Sequence, residues 1–242
     1  MMTRIIQSLR HIAKSYELIV FDQWGVLHNG SEVFGSALFI MRQIRAMGIR
    51  TAMLSNSGKR AQYNIDRMAN LGFDISLFDI AMTSGEAFWN DVFAKKVPER
   101  VFYPIEQNEG DAQSWAGNID VNLTSEINKA DAILLMGLPK NPHLDNWEVF
   151  IGWALNRGLK IYCTNPDVVS PRATGLVQSP GALAHLYAEM GGQVEFYGKP
   201  YSNVFQALAS KFCAKKILMV GDSLEHDVAG SNRVGWDSLF IQ

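Results

Sequence analysis

Short, fully apolar runs rich in β-branched residues alternate along this chain with longer amphipathic stretches. The runs are Leu18 to Phe21, Thr51 to Leu54, Val101 to Tyr103, Ala132 to Met136, Leu159 to Cys163, Ile217 to Val220 and Ser238 to Ile241. Runs this short and this apolar predict strands buried on both faces. Between them, Ser36 to Ala46, Gln62 to Leu71, Trp147 to Asn156, Gly181 to Met190 and Asn203 to Phe212 carry apolar residues at helical spacing and often end at Gly, which predicts helices. The alternation predicts an α/β protein with a parallel sheet. No internal repeat, low-complexity tract or long linker interrupts it, so a second domain is expected as an insertion between elements. A helix is expected before Tyr16.

Composition narrows the classes. With 242 residues, 48% hydrophobic and 19% charged, the chain reads as an ordinary globular protein of one large domain or two modest ones. Lys plus Arg is 22 and Asp plus Glu is 24, a formal net charge of -2. No excess of cation is present to hold a polyanion, so nucleic-acid binding is not expected as the main role. No apolar stretch reaches about 18 residues, and the segment from Met1 to Lys14 alternates charge with apolar residues instead of forming a signal peptide's apolar centre. A cytoplasmic protein without membrane association is expected. Cys163 and Cys213 lie far apart and form no CxxC pair, which fits a reducing compartment and leaves thiolate metal sites unsupported. Both are expected to be buried. Trp89, Trp115, Trp147, Trp153 and Trp236 are expected in packing, as are Met41 and Met47.

Several apolar runs give way to a small polar or acidic residue: Phe21-Asp22, Leu54-Ser55-Asn56, Cys163-Thr164-Asn165 and Gly221-Asp222. In an open parallel sheet the carboxyl ends of the strands meet at one edge, so the active site is expected there. Read alone, Asp22 fits a turn or cap as well. Its sequel, Gly25-Val26-Leu27-His28-Asn29-Gly30, is a glycine-flanked passage where backbone N–H groups can approach an anion. The spacing half matches a phosphate-binding P-loop, but Ser31 stands where that loop needs Lys, which disfavours a nucleoside triphosphatase. Asp222 and Asp227 place two carboxylates five positions apart in a loop entering a helix. Carboxylates gathered at one edge repel unless a cation sits among them, and hard oxygen donors suit Mg²⁺. Lys199, in Gly198-Lys199-Pro200, offers a fixed positive charge; the plainer reading is a surface lysine.

Taken together these segments resemble the four motifs of the haloacid dehalogenase (HAD) superfamily, class IIA, the group of NagD-type and p-nitrophenylphosphate phosphatases. They occur in order: Phe21-Asp22-Gln23-Trp24-Gly25-Val26-Leu27, Leu54-Ser55-Asn56-Ser57, Gly198-Lys199-Pro200, and Gly221-Asp222 through Asp227. The resemblance runs from about Tyr16 onward. It implies a Rossmann-like core with a parallel sheet at residues 1–95 and 194–242, and an inserted α/β cap at 96–193. It also implies roles. Asp22 would be the nucleophile and a Mg²⁺ ligand, with the Trp24 backbone carbonyl, Asp222 and Asp227 completing the metal site. Ser55, Asn56 and Lys199 would bind the phosphoryl group, and Lys199 would also neutralise the nucleophile. Cys163-Thr164-Asn165-Pro166-Asp167 resembles the family's substrate-facing cap loop, which makes Asn165 and Asp167 candidates for leaving-group contact; an ordinary Asx turn remains the alternative. The implied substrate is a small phosphorylated metabolite, and a cap-mediated homodimer is expected.

One position departs from the pattern. The first motif normally reads D-x-D, its second acid protonating the leaving oxygen and then activating water. Here that position is Trp24, whose indole donates one hydrogen bond and shuttles no proton near neutral pH. Loss of general acid–base help costs about 10²–10⁴-fold. Four readings follow: a slow phosphatase favouring good leaving groups; a replacement acid, with His28, Glu225 and His226 nearest the motifs; a dehalogenase, which carries Tyr at this position but uses no metal; or a catalytically silent protein that binds metal and phosphate.

Overall fold

The computed structural model describes residues 4–139, 147–172 and 175–242. Among them the strands, in chain order, are β1 (Leu18–Phe21), β2 (Arg50–Ser55), β3 (Ile80–Thr83), β4 (Val101–Ile105), β5 (Asn122–Leu123), β6 (Ala132–Leu135), β7 (Lys160–Cys163), β8 (Val169–Arg172), β9 (Gly175–Gln178), β10 (Val194–Phe196), β11 (Ile217–Gly221) and β12 (Asp237–Phe240). The α-helices are α1 (Gly35–Ala46), α2 (Ala61–Asn70), α3 (Ser84–Phe93), α4 (Asp111–Ala116), α5 (Glu148–Asn156), α6 (Pro180–Glu189), α7 (Ser202–Ala209) and α8 (Ala229–Arg233). The chain divides into two compact units: Met1–Ser55, Ala61–Met82 and Phe205–Gln242 form the first, and Asn56–Arg60 with Thr83–Val204 the second. The expected cap span of 96–193 includes residues 140–146 and 173–174, which lie outside the described residues.

The first unit is built on a five-stranded sheet in the order β12-β11-β1-β2-β3. β1 runs parallel to both β2 and β11, and β11 parallel to β12. Leu18–Phe21 is buried at every position, as a central strand covered on both faces requires. Ile19, Phe21, Met53, Leu218 and Val220 pack with Met41 and Ile44 of α1 and Met68 of α2 in one apolar cluster, each fully buried side chain contributing about 1.5–3 kcal/mol. α1 stops at Gly48, whose φ of 76° supplies the left-handed residue of a helix C-cap; the Ile49 N–H then donates back to Ile44 O at 3.3 Å.

The second unit carries its own five-stranded parallel sheet, β10-β7-β6-β4-β5, and an antiparallel hairpin of β8 and β9. Ile133, Leu135, Ile161 and Cys163 pack against Ile151 and Ala154 of α5 and Leu183, Ala184 and Tyr187 of α6. An aromatic group centred on Phe88 of α3 joins Phe102, Trp115, Tyr162 and Tyr197, with ring centroids 4.8–6.0 Å from Phe88. Among the described residues, no helix is long and apolar enough to cross a membrane.

The parallel α/β architecture is the one the hydrophobic pattern predicts, and the seven apolar runs are strands with ends shifted by a residue or so. Three expectations change. The segment before Tyr16 forms two 3-10 turns, Leu9–His11 and Ala13–Ser15, which bury only Ala13. Cys213 is exposed, whereas Cys163 is buried and its thiol is pushed up to about 12 by desolvation. Trp153 is 57% exposed on α5.

Candidate active site

β1 sits between β2 and β11, so the chain leaves it first to one side and later to the other. Ligands of open α/β sheets gather outside the strand ends at such a reversal. Phe21 is in register with Met53 and with Val220, which brings Asp22, Ser55 and Asp222 out at the same edge. The Asp22 N–H donates to Val220 O at 2.9 Å. One carboxylate oxygen each from Asp22, Asp222 and Asp227 lies within 4.8 Å of the others.

Local structure imposes that convergence. After β11 the chain enters a π-helical turn, Leu224–Val228, capped by Ser223 Oγ, which accepts the His226 N–H at 3.1 Å. The turn folds the buried Asp227 back over the strand end, where its Oδ2 accepts the Ser223 N–H at 3.1 Å. A Cβ at Gly221 would overlap the Asp227 carboxylate, and one at Gly25 would overlap that of Asp222. Both glycines are thus close-approach positions, and Gly25 also has a φ of 79°. Three carboxylates held this near one another are costly unless a cation offsets their charge. The hard oxygen set matches a small divalent ion that retains several waters.

Trp24 is 43% exposed, and its indole nitrogen lies 3.2 Å from where a Cβ of Gly30 would stand. Of the acids nearest in sequence, His28 is 1% exposed, and its Nδ1 accepts the Gly30 N–H at 2.9 Å. That contact places the ring proton on Nε2. Burial, aided by the Arg67 charge, lowers its pKa to about 4, so near neutral pH the ring is uncharged and shielded from solvent. His28 is therefore no replacement for the missing acid. Glu225 is exposed and His226 partly exposed on the π-helical turn.

The remaining candidates belong to the second unit. Asn56 Nδ2 donates to Asp167 Oδ1 at 2.7 Å and to Lys199 O at 2.9 Å, while its Oδ1 accepts the Lys199 N–H at 2.6 Å. Lys199 is 2% exposed, so it is no surface lysine. Asn165 Oδ1 accepts the Asp167 N–H at 3.2 Å, the Asx turn, and the same loop turns the Asp167 carboxylate to Asn56. Sequence reasoning missed the ties that hold the loop after Ser55. Lys59 pairs with Asp111 at 2.8 Å, and Arg60 meets Glu86 at 2.6 and 3.0 Å while stacking 3.7 Å over the Trp89 ring. These partners are distant in sequence, and no motif spacing signals them.

Two family models match the chain: haloacid dehalogenase-like hydrolase over residues 19–113 and a HAD-hydrolase-like model over 196–242. The 5′-nucleotidase YutF of Bacillus subtilis is 24% identical over 237 residues, covering 94% of this chain and 88% of its own. An acid sugar phosphatase of Staphylococcus epidermidis is 24% identical over 95% of this chain and 87% of its own. Among solved structures, a haloacid dehalogenase-like hydrolase from Brucella suis superposes with a TM-score of 0.88 at 26% identity, covering 99% of this chain and 93% of that one. A 4-nitrophenylphosphatase from Thermotoga maritima gives 0.80 at 21% identity, covering 96% and 88%.

Proposed function

The chain belongs to the haloacid dehalogenase-like hydrolases, with class IIA architecture, and from that premise we propose that it is a metal-dependent phosphohydrolase of a small phosphorylated metabolite with an activated leaving group. The observation that carries this reading is the convergence of Asp22, Asp222 and Asp227 within 4.8 Å at the strand reversal. Asp22, Asp222, Asp227 and the Trp24 backbone carbonyl would hold Mg²⁺. When bound, Mg²⁺ supplies charge neutralisation for the nucleophile and the phosphoryl oxygens.

The protein's own groups do the rest. An Asp22 carboxylate oxygen attacks phosphorus as the bond to the leaving oxygen breaks, and that oxygen departs with the electron pair. Water then attacks the phosphorus of the aspartyl-phosphate, releasing inorganic phosphate and restoring Asp22. Ser55 and the Lys199 ammonium serve as donors to the phosphoryl oxygens, where charge grows in the transition state. In the proposed cap, 96–193, Asp167 and Asn165 would meet the leaving group with the atoms not already committed, since Asn165 Oδ1 closes the Asx turn and Asp167 Oδ1 accepts from Asn56. Because Trp24 shuttles no proton and His28 is buried and uncharged, the reading favours leaving groups that depart as stable anions, with Glu225 and His226 the remaining acids near the motifs. Acyl phosphates and aryl phosphates meet that condition, and simple alkyl phosphates do not.

The test is phosphate release with Mg²⁺ from acetyl phosphate, p-nitrophenyl phosphate and glycerol phosphate, with Asp22→Asn as control. The expected result is turnover of the first two, exceeding the third by about 10²-fold or more and lost in Asp22→Asn. Mg²⁺ binding without release from any ester would instead favour a silent metal- and phosphate-binding protein, the reading that Trp24 itself suggests.

A further inference from the structure

In the second unit a single side-chain amide joins three loops. Asn56 spends both Nδ2 protons, one on the Asp167 carboxylate and one on Lys199 O, and its Oδ1 takes the Lys199 N–H. The orientation of the amide is fixed by its partners. Rotated by half a turn, it would set its own N–H groups against the Lys199 N–H and its oxygen against a carboxylate and a carbonyl, turning three attractions into three repulsions. No Nδ2 proton is then left for a phosphoryl oxygen.

We infer that Asn56 is a positioning residue that locks the backbone of Lys199 to the carboxylate of Asp167, rather than a group that contacts phosphate through its side chain. The inference rests on the phosphohydrolase reading for what Lys199 and Asp167 do. The clasp is well supported on each side. The Asn56 loop is anchored independently: Thr83 Oγ1 donates to Lys59 O at 2.6 Å, Lys59 pairs with Asp111, and Arg60 pairs with Glu86. On the lysine side, Gly198 has a φ of 115°, and a Cβ there would stand 2.7 Å from Pro166 Cδ. Lys199 therefore leaves a backbone pressed against the residue preceding Asp167. Asn56 is 8% exposed and Lys199 2%, and hydrogen bonds so shielded from water hold geometry more firmly than exposed ones.

Removing the amide frees the Lys199 backbone to shift while the Asn56 loop stays anchored, and a displacement of about 1 Å at a charge-stabilising group costs about 10²-fold in rate. The experiment measures p-nitrophenyl phosphate turnover for wild type, Asn56→Ala, Lys199→Met and the double variant. Hydrogen exchange at the Lys199 amide and Mg²⁺ affinity are measured on the same proteins. The expected result is a fall in kcat of about 10–10²-fold for Asn56→Ala, faster exchange at Lys199, and unchanged Mg²⁺ affinity. In the Lys199→Met background, removing Asn56 should change kcat less than about threefold, because the group it positions is already gone. Asn56→Asp keeps the acceptor for the Lys199 N–H but sets a carboxylate against Asp167, so KM should rise more than kcat falls. Independent, multiplying losses in the double variant would overturn the inference by marking Asn56 as a direct phosphate contact. Unchanged exchange at Lys199 in Asn56→Ala would overturn it as well. A wild type that turns over no ester would sink the phosphohydrolase reading, and the exchange measurement alone would then decide whether the clasp exists.

Discussion

The sheet of the first unit and the sheet of the second share one topological feature. β1 lies between β2 and β11, and β4 lies between β5 and β6, so each sheet has a strand from which the chain departs to both sides. Each also gathers acids at the edge where that strand ends. In the first unit Asp22, Asp222 and Asp227 converge on one another. In the second, Glu106 turns its two oxygens onto the N–H groups of Gly110 and Ala112 at the start of α4, at 3.1 and 2.6 Å. Its neighbour Asp111 is paired with Lys59. The reversal creates an edge suited to ligands, but short-range pairing decides how the edge is used. At the second edge backbone donors and a lysine tie the acids into a loop; at the first, three carboxylates crowd together even though Asp227 also accepts the Ser223 N–H, a grouping that a cation would offset. Function is thus a property of the local charge arrangement and not of the sheet.

Upsetting the convergence should produce the largest effect. Gly25→Ala puts a methyl group into the Asp222 carboxylate and must displace one of the metal acids. Mg²⁺ affinity, measured by titration calorimetry, is expected to fall about 10²-fold, the upper range for changes beside metal ligands. Thermal stabilisation by saturating Mg²⁺, about 2.7 kcal/mol at a hundredfold excess over Kd, should shrink with it. Equal Mg²⁺ binding by wild type and variant would mean that the ion is not held by these acids, and the contrast between the two edges would dissolve.

What the sequence reveals follows the same division between local and distant. Asp22 and Asp222 were legible because each ends its own apolar run, and parallel pairing alone brings such ends to one edge. The burial of His28 was not, since it follows from how the loop after β1 folds onto the core. Nor was the clasp of Asn56, whose partners are 111 and 143 residues away. β10 escaped the hydrophobic pattern because Glu195 lies within it; partial exposure and the ion pair with Lys160 of β7, at 2.5 Å, accommodate the charge there. Exposure of Trp153 likewise depends on which face of α5 finds a neighbour, and that of Cys213 on how the loop between α7 and β11 runs; residue type decides neither.

Glu106 tests the other half of the comparison at intermediate size. Glu106→Ala strips the acceptor from two backbone N–H groups, and charge-assisted hydrogen bonds of this kind contribute about 1.5–3 kcal/mol each when first formed. Water at this partly exposed loop would recover much of that. A net loss of about 2 kcal/mol in unfolding free energy is expected, read from the urea midpoint, with Mg²⁺ affinity unchanged. If Mg²⁺ affinity fell instead, Glu106 would belong with the metal acids and its pairing with α4 would not be its main role.

The smallest effect belongs to Lys59. Its ammonium lies 2.8 Å from Asp111 Oδ1, with the two side chains 20% and 15% exposed, so the pair is neither freely hydrated nor sealed. Lys59→Met keeps most of the aliphatic stem and removes the charge. About 1 kcal/mol of stability should be lost at low salt, at the upper end for pairs with access to water. The loss should shrink in 1 M NaCl, where screening acts over about 3 Å. Pairing Lys59→Met with Asp111→Asn isolates the coupling, because the second change should cost little once the first has been made. A coupling that exceeds about 3 kcal/mol and ignores salt would show a sealed ion pair, and the acids of the second edge would then be held by desolvated charge rather than by partly hydrated bonds.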